Sequence, residues 1–319
     1  MPELASGKLR EFQEMLACVR IAGKVRGPFT IMKLTKPFLL LLTLLLASCT
    51  STPPGNTSYQ NYPSQPSAPL PQPPVFRPHS PPPVIQAQAY ILVDAATGRT
   101  LASSRADERR GVASTQKLVT ALVVSKSGNL DRRMRIESSD VRVEPTKIGL
   151  VPGEVISRRE VLYATLVKSG NDGANALARD NAGSIAAFAS RMNSLARFYG
   201  ATNSYFVNPH GLSASGQSST ARDMARIALA AYRDPVIRDV VGRGFVMFHG
   251  HSLKNTNDLL RRMPECNGMK TGYTNSAGKC LISSASRNGR AVILVQLGSR
   301  VKYIWDDGQA MMNWGLSNL

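Results

Sequence analysis

The apolar positions change period twice along the chain. Residues 89–94 (AYILVD) form a short, β-branched run, followed by the turn residues 95–98 (AATG) and a second run from Thr100. This pattern predicts a β-hairpin. Near the other end, residues 268–272, 279–285 (KCLISSA) and 291–297 (AVILVQL) are again strand-like and separated by Gly and Asn turns. Between these regions the period is helical. Ser157 with Glu160 forms a capping box ahead of VLYATLV, Ser184 precedes a helix closed by Gly200, and Thr220 with Asp223 opens another that stops before Pro235. Strands at both ends with helices between them predict an α+β fold. Its antiparallel sheet combines N- and C-terminal strands, flanked by helices, with an inserted helical lobe.

The first part of the chain obeys different rules. Residues 38–47 (FLLLLTLLLA) are apolar but for one Thr and follow Lys33 and Lys36. A spanning helix needs about 20 apolar residues, so this run has instead the size of a signal-peptide core. Its basic leader begins naturally at Met32, which makes residues 32–48 the expected signal peptide and residues 1–31 the product of a start assigned too early. Leu46-Ala47-Ser48-Cys49 resembles a bacterial lipobox, which makes Cys49 the expected lipid attachment point. Residues 50–83 carry 12 of the chain's 20 prolines and a single charge, Arg77. Such a stretch cannot bury a core, so residues 49–83 are expected to be a lipidated Cys and an extended tether reaching on the order of 100 Å. Residues 84–319 have ordinary globular composition and fit one domain.

Composition then narrows the function. The 319 residues carry a net charge of +18 and 43% apolar side chains. Wholesale disorder is excluded, and a nucleic-acid partner must be weighed. The basic residues are scattered, with no long basic run and no aromatic-interleaved basic strand, so the charge reads as a solvated surface. An exported basic protein meets anionic lipid, wall polymer and peptide carboxylates. No metal or other cofactor is expected: His79 lies in the tether, His210 in a loop, and His249 with His251 lack an acidic companion at ligand spacing.

Three short patterns carry candidate chemistry. Ser114-Thr115-Gln116-Lys117 precedes the apolar LVTALVV, and a helix starting at Ser114 would set the Lys amine beside the Ser hydroxyl. A lysine whose pKa is lowered by burial can serve as the base that a serine nucleophile needs. Alone, the pattern also fits a helix cap followed by a surface Lys, and it recurs at residues 276–279, where Gly278 argues for a turn. Ser169-Gly170-Asn171 lies at a junction between two helices, where a hydroxyl and an amide can face a cleft, although residues 127–129 and 286–288 repeat its outline. Lys270-Thr271-Gly272 occurs once, on a strand. An edge strand bearing Lys and Thr can hold a carboxylate, and Gly lets a peptide lie close.

In this order the three patterns resemble the penicillin-binding protein and serine β-lactamase superfamily. The segments VDAATGRTL, ASTQKL, SGNDGANALA, FVNPHGL, STARDMA, NTNDLL and GMKTGYTNSAGKCLISSA are similar to the D-alanyl-D-alanine carboxypeptidase family and span nearly all of residues 87–298. The resemblance implies a β-lactamase/transpeptidase-like fold over residues 84–319 and a serine peptidase that trims peptidoglycan stem peptides. Ser114 would be the nucleophile and Lys117 its base. Ser169 would relay a proton to the leaving D-alanine, and Asn171 would bind the substrate backbone and hold Lys117. Lys270 and Thr271 would receive the substrate carboxylate, and the N–H groups of Ser114 and of Tyr273, after Gly272, would form the oxyanion hole. β-Lactam antibiotics would acylate Ser114. No Glu occurs between Glu160 and Glu265, which disfavours the fast deacylation of a class A β-lactamase. Endopeptidase action on cross-bridges, other β-lactamase classes and a non-catalytic wall-binding lipoprotein remain as alternatives. The expected location is the cell envelope, exported and lipid-anchored at Cys49.

Two further cysteines fall in this domain. A hairpin turning near residues 274–277 would set Cys280 opposite Lys270, four residues or about 13 Å from Cys266. That exceeds the roughly 7 Å Cα limit for a disulfide, so two free thiols are predicted.

Overall fold

The computed structural model describes residue 76 and residues 78–319, so the expectations for residues 1–31, 32–48, Cys49 and most of the tether lie outside the described residues. Strands β1 (Ala89–Asp94) and β2 (Thr100–Ser104) form the first hairpin. A single 3-10 turn, Ala113–Gln116, runs into α1 (Lys117–Lys126). Two short strands, β3 (Arg133–Arg135) and β4 (Val155–Ser157), pair beside α2 (Arg158–Lys168), α3 (Asn171–Ala182) and α4 (Ile185–Phe198). Next come α5 (Ala221–Arg233), α6 (Pro235–Val241) and the hairpin of β5 (Phe245–Phe248) with β6 (His251–Lys254). The chain closes with β7 (Cys266–Thr274), β8 (Gly278–Arg287), β9 (Arg290–Ser299) and α7 (Ile304–Asn318).

The main sheet has the order β2-β1-β9-β8-β7 and is antiparallel throughout, so the first and last strands share one sheet as their apolar pattern predicts. β9 is central, and Val292 to Leu297 are buried without alternation because both faces are covered. On one face α7 packs Ile304, Met311, Met312 and Trp314 against Leu92, Leu281, Val292 and Leu294. On the other, α5 lies across β1 and β9 and joins the sheet to the helical lobe. In that lobe α1 is buried on all sides from Lys117 to Val124, which is why its sequence is apolar without a polar stripe.

The helix starts follow their caps. The Glu160 N–H donates to Ser157 Oγ and the Ser157 N–H to Glu160 Oε2, Ser184 Oγ accepts from Ala187 N, and Thr220 Oγ1 from Asp223 N. Pro235 both ends α5 and begins α6, with Asp234 capping the latter through Val236 N and Ile237 N.

Three expectations need revision. α1 begins at Lys117, and Ser114 sits in the preceding 3-10 turn. Packing also begins before residue 84. The Phe76 ring meets Trp314 edge-on, Trp314 Nε1 donates to Ser80 O, and His79 N donates to Asn318 Oδ1. Finally, the hairpin closes on Thr274 and Gly278, so Cys280 pairs with Gly272 instead of Lys270. The loop holds three residues, and the register moves by two. Cys266, opposite Ala285, is thereby carried farther from Cys280, and both thiols are free and buried.

Candidate active site

The 3-10 turn decides the geometry of Ser114. With three residues per turn, positions i and i+3 eclipse, so Lys117 stands directly over the serine. Its Nζ lies 2.8 Å from Ser114 Oγ, 2.7 Å from Asn171 Oδ1 and 2.7 Å from His210 O. Ser114 Oγ also donates to His210 O at 3.2 Å. Lys117 is wholly buried, and its amine is held well below the ordinary lysine range, first by burial, then by the positive charge of Lys270, with Asp172 pulling the other way.

Ser169 follows α2 in the left-handed region, φ 70°, which turns the chain between α2 and α3 and aims the hydroxyl at β7. There Lys270 Nζ donates to Ser169 Oγ and to Thr271 O, both at 2.9 Å. β7 is an edge strand of the sheet, as the expected carboxylate site requires. Lys270 is buried, and burial lowers its pKa to about 7. Neighbouring Thr271 shares a hydrogen bond with Thr256, Oγ1 to Oγ1, at 2.6 Å. Gly272 allows the strand to touch the nucleophile turn: a Cβ there would lie 2.7 Å from Ser114 N and 3.0 Å from Thr115 N. Gly211 does the same from the opposite side, at φ +92°, where a Cβ would fall 2.1 Å from Ala113 O.

These elements enclose a cleft of 320 Å³ whose lining includes Ser114, Ser169, Asn171, Thr271, Gly272 and Tyr273. Ser114, Ser169, Asn171, Thr271 and Gly272 of the three sequence patterns therefore converge here, with Lys117 and Lys270 behind the lining. The lining contains no carboxylate. Two expectations change in detail. Asn171 holds Lys117, but its Nδ2 donates to Glu144 O and Pro145 O at 2.8 and 3.0 Å, so its donor side is already engaged by the chain itself. Lys270 reaches the cleft as charge from below, and the groups at the surface beside it are Thr271 and Thr256.

Some participants had no readable signal. The His210 carbonyl holds both Ser114 and Lys117, yet a backbone oxygen leaves no trace in sequence except through Gly211, whose φ lets the FVNPHGL loop close on Ala113. Trp305 and Ile304, at the start of α7, also line the cleft.

An α+β sheet with an inserted helical lobe, bearing a serine against a buried lysine three residues on, defines a serine acyl-transfer enzyme of the penicillin-binding class. The family model described as D-alanyl-D-alanine carboxypeptidase matches residues 76–301. The chain is 34% identical over 241 residues to D-alanyl-D-alanine carboxypeptidase DacB2 of Mycobacterium tuberculosis, covering 72% of this chain and 82% of that protein. It is also 34% identical over 247 residues to DacC of Escherichia coli, covering 73% of this chain and 62% of that longer protein. A solved D-alanyl-D-alanine carboxypeptidase from M. tuberculosis superposes with a TM-score of 0.73 at 32% identity, covering 76% of this chain and 96% of that one. A mutant of the Streptomyces K15 DD-transpeptidase gives 0.70 at 30% identity, covering 74% and 99%. The chain belongs to the D-alanyl-D-alanine carboxypeptidase family and is a serine-type hydrolase.

Proposed function

We propose that this enzyme removes the terminal D-alanine from peptidoglycan stem peptides through an acyl-enzyme on Ser114. One observation carries the reading. A neutral lysine amine has two hydrogens, and giving these to Asn171 Oδ1 and His210 O leaves the Lys117 lone pair toward Ser114 Oγ at 2.8 Å, to which the Ser114 hydroxyl turns its proton from His210 O. Lys117 takes the Ser114 proton as Oγ attacks the carbonyl between the two D-alanines. The oxyanion forms against the Ser114 and Tyr273 N–H groups, and a donor of this kind contributes about 3–4 kcal/mol to the transition state. The C–N bond then breaks, and Ser169, polarised by Lys270, passes its proton to the departing amine and recovers the one that Lys117 took from Ser114. Lys270 attracts the substrate carboxylate, with Thr271 in contact. Water hydrolyses the acyl-enzyme. The carboxylate-free lining supports slow release of a β-lactam acyl group.

Ser114→Ala is expected to lower D-alanine release from a pentapeptide by about three orders of magnitude or more and to abolish labelling by fluorescent penicillin. Equal labelling of wild type and variant would falsify the assignment. Splitting of cross-linked muropeptide without D-alanine release would move the activity to endopeptidase.

The site works outside the cytoplasm in this reading, on a chain exported by residues 32–48 and held to a membrane by lipid on Cys49. The short apolar run, the lipobox-like LASC and the proline-rich stretch that follows support it. Labelled palmitate should enter the wild-type protein and not Cys49→Ala, and equal incorporation would remove the anchor from the account.

A further inference from the structure

A second cavity, 580 Å³, opens far from the chemistry, between the β1–β2 turn, the α5–α6 junction and the β8–β9 turn. Along β9, Ser299, paired with Lys279 beside the cleft, stands nine residues from Arg290 in this cavity, or about 30 Å. Four guanidinium groups converge on it from three separate segments: Arg99, Arg233, Arg238 and Arg290.

Three of the four are oriented by neutral groups. Arg99 stacks on the Phe76 ring and Arg238 on the Tyr232 ring, both at 4.8 Å. Arg233 Nη2 donates to Ala96 O at 3.1 Å, whereas Arg290 Nη1 donates to Leu319 O, an oxygen of the last residue's carboxylate. Among the described residues Arg99, Arg233 and Arg238 have no ion pair with a carboxylate. Asp94, which also lines the cavity, has its carboxylate taken by Ala96 N and Thr97 Oγ1. Stacking over a ring fixes a guanidinium while leaving its in-plane N–H edge free, the arrangement suited to a planar fork on an anion. Three guanidinium groups without a carboxylate partner around one concavity exceed what a single carboxylate can neutralise, whereas a phosphate offers several oxygens and more charge.

We propose that this cavity is an anion site that takes a phosphate-bearing ligand. The site is independent of the acyl-enzyme.

Full-length protein in detergent would be titrated with inorganic pyrophosphate by calorimetry. In parallel, flotation would be measured with phosphatidylcholine vesicles with and without phosphatidylglycerol, the gain due to the anionic lipid being the quantity compared. Arg238→Gln with Arg290→Gln should weaken pyrophosphate binding at least about tenfold, or abolish the phosphatidylglycerol-dependent gain, while D-alanine release stays unchanged. The first result assigns a soluble phosphate compound and the second a lipid headgroup. Arg109→Gln with Arg197→Gln removes the same charge elsewhere and should leave both readouts intact. If both double variants behave alike with both probes, only diffuse positive charge is at work and the site does not exist.

Discussion

In the proposed mechanism the two buried lysines take opposite protonation states, and that sets the expected pH behaviour of the site. Lys117 must be a free base, and burial with the nearby Lys270 charge favours that state. Acidification returns a proton to it, so activity is lost as pH falls. Lys270 must be a cation to attract the substrate carboxylate, and burial sets its pKa near 7. That attraction is therefore lost as pH rises through about 7 in the free enzyme. The profile of kcat/KM should be a bell, its alkaline limb belonging to Lys270. A bound carboxylate favours the ammonium, so the corresponding limb of kcat should sit higher. Lys270→Arg keeps its charge at alkaline pH, and its kcat/KM profile should lose the alkaline limb while keeping the acid one. An Arg variant with the limb unmoved would show that another group titrates there. The same residues sit on costly backbone. Ala113 before Ser114, Ser169 itself and Met269 before Lys270 have φ of 47°, 70° and 100°, conformations that each cost about 1–3 kcal/mol outside glycine. The three functional side chains are thus aimed by turns that the surrounding packing must enforce.

Between elements, the aim is transmitted through Asp172, in the first turn of α3. Its buried carboxylate accepts from Ile148 N and Gly173 N at 2.9 Å, Gly149 N at 3.1 Å and Leu150 N at 3.3 Å. This pins the loop whose Glu144 and Pro145 carbonyls hold Asn171, which in turn holds Lys117. Asp172→Asn leaves buried N–H groups facing an amide N–H. It should cost about 2–4 kcal/mol, lowering the melting temperature by roughly 5–15 °C. It also removes the charge that favours protonated Lys117, so the acid limb of kcat/KM should shift to lower pH. A melting change without that shift would leave Asp172 a purely structural residue. The caps of α2, α4 and α5 were legible because Ser157, Ser184 and Thr220 each satisfy their helix within three residues. The strands were legible because the sheet is buried where their apolar runs lie. The Cys280 register was misread because it depends on whether the turn closes on residue 273 or 274, which alternation alone does not settle. The β3–β4 and β5–β6 pairs went unread, since three- and four-residue strands carry too little pattern. Ser114, Lys117, Ser169, Asn171 and Lys270 were singled out through their local spacing, and the fold brings them within hydrogen-bond reach of one another in two groups. The His210 carbonyl and the engaged Asn171 amide belong to contacts between distant segments, and no local pattern encodes them.

At the scale of the whole molecule, the sheet is closed by a helix that is itself held by the chain's entry into the domain. α7 covers β1, β8 and β9, and its Trp314 lies under Phe76 while Asn318 and the indole N–H are tied to His79 and Ser80. Composition placed this segment in the tether because its prolines exclude regular structure, yet an irregular strap can still deliver one aromatic ring and two backbone groups to a helix. α7 also begins at the cleft, where Ile304 and Trp305 form part of the lining, so a loosened helix is felt at the site. A chain beginning at residue 84 should therefore be less stable than one beginning at residue 75. Losing the Phe76 contact and two hydrogen bonds amounts to about 2–3 kcal/mol, or roughly 4–12 °C in melting temperature. The shorter chain should keep its Ser114 labelling by fluorescent penicillin at low temperature and lose it on warming before the longer chain does. Coincident melting curves would mean that the strap rests on α7 without supporting it, and that the domain begins at residue 84 after all.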